Sequence, residues 1–265
     1  MRGLWNLGNT CYFNTAIQCL AHVPTLTKHF FSVPYEGPCG VTREYQKVVK
    51  QLFIHGETTP VSPSDLLGEF RIKYPDFANY GQHDTQEVVL LLIDTFEKSL
   101  GKKFITDIFN GEEAQETIYP DGMSTIKNQF TTLIMDVSEP ATLKDLIGDR
   151  EEPVAISDYL DGNGKKHHVA AIRTRVTKWP KVVVFSFSMY DYKFPIEIPL
   201  EFEGRKLFAC VLHQGVRQGG HYALLVRRYD KWYIKDDDSV KQIPNIETLK
   251  GEFYMALYRQ QSSAS

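Results

Sequence analysis

Cys11 follows Gly8-Asn9-Thr10 directly and opens a helix-period pattern. The unpaired N–H groups and dipole of a helix N-terminus favour an anion, so a thiol there ionises more readily. The glycine-bearing loop lets a substrate backbone come close. Taken alone, a free cysteine is more often a small buried hydrophobe. A nucleophilic thiol also needs a base. Of the eight histidines, His221 stands out, with Gly219-Gly220 before it and Tyr222-Ala223-Leu224-Leu225-Val226 after it. Glycines permit close approach, and a strand holds an imidazole in place. By itself His221 also fits an exposed hairpin position. Fifteen residues on comes Asp236-Asp237-Asp238. A hairpin would return Asp236 beside His221, where a carboxylate fixes the ring tautomer and stabilises the imidazolium. Asn6, five residues before Cys11, has a side-chain amide able to donate to an oxyanion. It also fits an ordinary turn.

These residues need elements to position them. Phe13, Ile17 and Leu20 predict an amphipathic helix after Thr10. Tyr45, Val48, Val49, Leu52 and Phe53 predict a second, ending at Gly56, and Asp84 to Gly101 a third. In this last helix Asp84 and Glu87 have the spacing of a capping box. From about residue 105 turn dipeptides appear: Asp121-Gly122, Asp161-Gly162 and Asn163-Gly164. Strands are expected at 181–187, 207–212, 222–229 and 253–258, with Asp230-Lys231 as a hairpin turn into Trp232-Tyr233-Ile234. Helices first and strands later predict an α+β fold without βαβ alternation. Residues 260–265 read as a frayed tail.

Composition narrows the classes. With 30 Lys+Arg against 33 Asp+Glu the net charge is −3, which gives no basic surplus for nucleic acid or an anionic membrane. No run approaches the roughly 20 apolar residues of a membrane span. Four cysteines are too few for a disulfide framework and point to a reducing intracellular compartment, the cytoplasm with the nucleus left open. A monomer is expected.

The segment Gly3-Leu4-Trp5-Asn6-Leu7-Gly8-Asn9-Thr10-Cys11-Tyr12-Phe13-Asn14, running on to Gln18-Cys19-Leu20, resembles the cysteine box of the ubiquitin-specific proteases. Gly81-Gln82-His83-Asp84-Thr85-Gln86-Glu87 resembles that family's second motif. Gly219-Gly220-His221-Tyr222 with Trp232 to Val240 resembles its histidine box. The resemblance implies a papain-like fold in one catalytic domain over 1–259. A helical thumb would span about 1–105, reduced fingers and connections 106–180, and β-rich palm strands 181–259. It implies a thiol isopeptidase acting on ubiquitin or ubiquitin-conjugated proteins, without cofactor. Cys11 would be the nucleophile, His221 the base and acid, and Asp236 the third triad member. Asn6 would donate to the oxyanion, with Asp237 supporting it or the attacking water. Gln82, Asp84, Glu87, Gly220 and Tyr222 would contact substrate, Asp84 and Glu87 facing the arginines of the ubiquitin tail. For Glu87 capping and substrate contact both stand, and for Asp84 substrate contact is preferred. Tyr222 would narrow the channel to Gly-Gly.

Two departures from the family stand out. Lys235 takes a place usually held by an aromatic, just before the triad acid. Cysteine is missing from 105–180, and a structural zinc needs four ligands, so the fingers are expected to be short and metal-free. Rival readings are a protease for another ubiquitin-like modifier, a catalytically weak ubiquitin-binding module, and a peptidase without modifier specificity.

Overall fold

A computed structural model describes residues 1–188, 193–216, 219–244, 246 and 249–261 of the chain. Its helical part holds α1 (Cys11–Ala21), α2 (Pro24–Ser32), α3 (Gly40–Leu52), α4 (Ser64–Lys73), α5 (Thr85–Leu100) and α6 (Lys102–Phe109). The expected helices correspond to α1, α3 and α5. The other three have eight to ten residues, too few turns for a period to stand out. The helical part runs to Phe109, four residues past the expected boundary. It is followed by β1 (Gly111–Tyr119), β2 (Gly122–Phe130), β3 (Leu133–Asp136) and β4 (Ala141–Thr142). A seventh helix, α7 (Leu143–Glu151), interrupts the strand-rich part. Its signal is a reciprocal capping box between Thr142 and Asp145. Then come β5 (Val154–Leu160), β6 (Lys166–Lys178), β7 (Val182–Ser188), β8 (Ile196–Ile198), β9 (Glu201–Phe202) and β10 (Arg205–Val216). The chain ends with β11 (Gly219–Arg228), β12 (Lys231–Asp236), β13 (Ser239–Ile243), β14 (Leu249–Gly251) and β15 (Phe253–Gln260).

The main sheet runs β13-β12-β11-β10-β15-β7-β3, with β9 beside β10; β3 joins β7 in parallel. A separate antiparallel sheet, β2-β1-β6-β5, fills the interval expected to hold short fingers, with strands of seven to thirteen residues. Its charges are locally paired: Glu116 meets Arg173 at 2.7 Å and Arg175 at 2.6 Å. One apolar core lies among the helices and against the facing side of the main sheet, a second on the sheet's other side.

Three expectations are corrected. Helix α1 is buried on every side, not only on one face. It packs on α5, α2 and β11, so its polar side chains must find partners inside the protein. The hairpin turn is Tyr229-Asp230, one residue earlier than expected. Both residues are left-handed, at φ 49° and 60°, as a type I′ turn requires. Gln260 is no frayed residue: it ends β15 and donates its backbone N–H to the Lys181 carbonyl at 2.7 Å. The tail positions 262–265 lie outside the described residues. Among the described residues no helix is long and apolar enough to cross a membrane.

Candidate active site

Cys11 is the first residue of α1, after the N-cap Thr10. Helix α1 is pressed against β11, and β11 carries His221. The β11–β12 hairpin is in register with Leu224 opposite Lys235. It delivers Asp236 to the imidazole, and Asp236 Oδ1 lies 2.5 Å from His221 Nε2. A carboxylate accepting at Oδ1 selects the ring tautomer with the hydrogen on Nε2, which leaves Nδ1 as the acceptor of a neutral imidazole. Both side chains are about half exposed, at 43% and 49%.

The thiol behaves otherwise than a helix N-terminus alone would dictate. Cys11 is 3% exposed, and desolvation raises its pKa. The Tyr222 backbone N–H and the N–H groups of Tyr12 and Cys11 pull it down, and the Asp237 carboxylate pushes it up. The expected anion stabilisation is present, but burial outweighs it. Among the described residues no hydrogen bond joins Cys11 to His221.

Asn6 sits where the segment 3–5 is pinned on two sides. Leu4 N–H donates to the Asp237 carbonyl at 2.8 Å, and Trp5 N–H to the Val61 carbonyl at 2.9 Å. Gly3 is required there, because a Cβ would fall 2.4 Å from the Asp238 carbonyl oxygen. Asn6 Oδ1 accepts from Gly8 N–H at 2.9 Å and Thr10 N–H at 3.2 Å, shaping the loop before Cys11. Its Nδ2 donates to Asp237 Oδ2 at 2.7 Å. Asn14 Nδ2 donates to the other oxygen, Oδ1, at 2.8 Å. Asp237, left-handed at φ 48°, thus fastens the β12–β13 turn to the loop and helix that carry Cys11. Asn14 was assigned no role from sequence. Its only signal is a polar side chain, alongside Thr15 and Gln18, in a mostly apolar helix.

The expected substrate contacts divide. Glu87 is exposed and free of the reciprocal bond a capping box would need. Asp84 caps α5 by accepting from Gln86 N–H at 2.7 Å, and its second oxygen accepts from the Tyr254 hydroxyl. Gln82 Oε1 accepts from Gly220 N–H at 2.5 Å, which ties the approach to α5 to the residue before His221. Gly220 is indeed needed for close approach, but to its own sheet: a Cβ would lie 2.4 Å from the Gln214 carbonyl and from His213 Nε2. The Tyr222 ring is 7% exposed and packs on His213 and Tyr254, at 4.4 and 5.5 Å between centroids. The expectation that this ring narrows an open channel is therefore corrected. What Tyr222 turns toward Cys11 is its backbone N–H. His83, without a role from sequence, stacks on Phe77 at 4.5 Å and bonds Asn79 Oδ1 at 2.9 Å, bracing the loop that presents Gln82.

Among the described residues, only His221, Asp236 and Asp237 bring three such ligand atoms within 4.8 Å. All three already have partners inside the site, and nothing in the arrangement calls for an ion. The arrangement can instead move a proton from a thiol to an imidazole held by a carboxylate, the chemistry of a papain-like cysteine hydrolase.

The sequence pattern of the family described as "Ubiquitin carboxyl-terminal hydrolase" matches residues 2–258. The chain belongs to that family. It is 24% identical to ubiquitin carboxyl-terminal hydrolase 20 of Arabidopsis thaliana, the alignment covering 98% of this chain and 44% of that protein. It is 23% identical to ubiquitin carboxyl-terminal hydrolase 17-like protein D of Mus musculus, covering 98% and 55%. The chain thus spans about half the length of these curated relatives. Among solved structures, it superposes on the SAGA Ubp8/Sgf11/Sus1/Sgf73 DUB module bound to ubiquitin aldehyde. The TM-score is 0.81 at 18% identity, over 99% of this chain and 70% of that one. A structure of the same module bound to monoubiquitin gives 0.84, also at 18% identity, over 99% and 69%. These likenesses show the fold.

Proposed function

We propose that the chain is a thiol isopeptidase that hydrolyses the bond after the C-terminal glycine of ubiquitin. The observation that carries this reading is the His221–Asp236 pair at 2.5 Å, held on a hairpin packed against the helix that begins with Cys11. Ubiquitin in the structures of the similar DUB module supports the choice of substrate.

His221 Nδ1 takes the Cys11 proton as sulfur bonds to the glycine carbonyl carbon. The oxyanion is met by the Cys11 backbone N–H and by the second amide hydrogen of Asn6, the first being given to Asp237. Collapse breaks the C–N bond, and the lysine amine leaves with the proton from His221. Water then gives a proton back to His221 and its oxygen to the thioester, which releases the ubiquitin carboxylate and restores the thiol. Burial raises the pKa of the free thiol, which favours its protonated form before His221 takes the proton. Asp84 and Glu87 remain the proposed acidic contacts for the modifier's basic tail, and Gln82, Gly220 and the backbone of Tyr222 the surrounding wall. On this reading the protein works as a monomer in the cytoplasm, without nucleic acid or membrane. Four free cysteines suit that reducing compartment.

Incubation with ubiquitin bearing a C-terminal electrophile tests the reading. An adduct is expected on Cys11 and none in Cys11→Ala. An adduct that survives the substitution overturns it, and a panel of other electrophilic modifiers decides which modifier is preferred.

A further inference from the structure

Lys235 stands one residue before Asp236, and its side chain is buried, with 3% exposure. Its Nζ donates to Gln18 Oε1 at 2.7 Å and to the Arg2 carbonyl at 3.2 Å. Gln18 Nε2 donates to the same carbonyl at 3.3 Å. Gln18 lies on α1, about two turns beyond Cys11. The triangle therefore joins the strand that ends in Asp236 to the helix that begins with Cys11. These partners are neutral oxygens, and among the described residues Lys235 forms no ion pair with a carboxylate. The charged or titratable groups facing it are the guanidinium of Arg228 on β11, the Met1 amine and His22, the C-cap of α1. Arg259 on β15 acts in turn on His22. His22 Nδ1 bonds the Gln18 carbonyl at 2.7 Å, and its Nε2 is buried without a partner. Two neutral acceptors match the two N–H donors of an uncharged amine. An ammonium would bring a third hydrogen and a charge into a dry, cationic corner. Burial and Arg228 lower the amine's pKa to about 7, in keeping with that match.

We propose that Lys235 is a positioning residue: as an uncharged amine it clamps α1 to β12 and so sets Cys11 against the His221–Asp236 pair. This rests on the reading of those three residues as the catalytic set. The resemblance to the ubiquitin-specific proteases puts an aromatic at this position, which could pack there but could not make these two bonds. Protonation loosens the clamp, so the geometry of the site depends on pH through a group that never touches substrate.

Lys235→Met, Gln18→Leu and the double variant test this. Turnover of a ubiquitin C-terminal fluorogenic amide, urea unfolding, and the pH profile of Cys11 alkylation by iodoacetamide are measured. Each single variant is expected to lose about tenfold or more in kcat with KM within about twofold, as small misplacement of reacting groups does. The double variant is expected to be no worse than the poorer single one. The wild-type alkylation profile is expected to bend near pH 7, and Lys235→Met to lack that bend. Lys235→Gln, which keeps N–H donors, is expected to recover part of kcat. Unchanged kcat and profile in Lys235→Met, or losses that multiply in the double variant, overturn the proposal. If Lys235→Met does not unfold cooperatively, Lys235→Gln and Gln18→Leu carry the same test. Should the wild type neither turn over ubiquitin amide nor form an adduct, the functional reading fails. The alkylation profile still decides for or against the clamp.

Discussion

A buried amine whose pKa falls from 10.5 to about 7 makes stability depend on pH with a definite sign. In the unfolded chain Lys235 holds its proton up to about pH 10.5; in the folded chain it releases it near pH 7. Between those values the unfolded state binds more protons, so stability rises with pH. Below pH 7 the folded protein carries the full penalty. A gap of about 3.5 units corresponds to about 5 kcal/mol at 1.36 kcal/mol per unit. Lys235→Met removes that penalty but leaves Gln18 Oε1 and the Arg2 carbonyl without this donor, at about 1–3 kcal/mol. The variant should therefore be the more stable protein at pH 6, by about 2–4 kcal/mol. Its advantage should shrink by about 2 kcal/mol by pH 8.5, where the wild type has shed somewhat less than half of the penalty. Urea unfolding of both proteins at intervals from pH 6 to 8.5 measures this directly. Burial raises the pKa of the Cys19 and Cys210 thiols, which lowers stability above pH 9 in both proteins and cancels in the difference. An advantage that does not change with pH, or a variant less stable at pH 6, refutes the argument. A more stable and less active variant would separate the residue's positioning role from its effect on stability.

Other outcomes follow from the same geometry. Gly3→Ala should destabilise by about 1–3 kcal/mol and lower kcat, because the methyl meets the Asp238 backbone oxygen; thermal melting and fluorogenic turnover report the two. Asn14→Leu should reduce kcat/KM by about tenfold by freeing one Asp237 oxygen, and a wild-type rate would show that Asn6 alone holds the turn. Iodoacetamide alkylation of Cys11 in the free protein should keep accelerating above neutral pH, past the bend set by Lys235, since burial raises the thiol's pKa; a final rate plateau below pH 7 would contradict this. Cys11→Ala should abolish turnover while ubiquitin binding, followed by calorimetry, persists. Asp236→Ala should be less severe, because nucleophile and base both remain.

The three expected helices and four expected strands all have counterparts, because each carries a long enough period or a dense apolar run. Helix α6 escaped notice at eight residues, and α7 because it lies among strands. Tyr229-Asp230 was misplaced by one position because neither residue is glycine, although both adopt the left-handed conformation that glycine favours. The pairing of His221 with Asp236 was legible because a hairpin joins residues close in sequence, and register follows from the turn.

Residue types and order alone determined that a thiol, an imidazole and a carboxylate were available, and which family's motifs they resemble. Tertiary structure alone decided how those groups are held. Asp237 spends its two oxygens on Asn6 and Asn14, Gln82 fastens Gly220, and Tyr222 offers a backbone N–H instead of its ring. It also decided that Cys11 rests as a buried thiol despite its place at a helix N-terminus, and that Lys235 lies buried with no carboxylate partner among the described residues. Such outcomes depend on which surfaces meet and where water is excluded. Desolvation and long-range hydrogen bonds come from contacts between residues more than a hundred positions apart, and no local pattern encodes them.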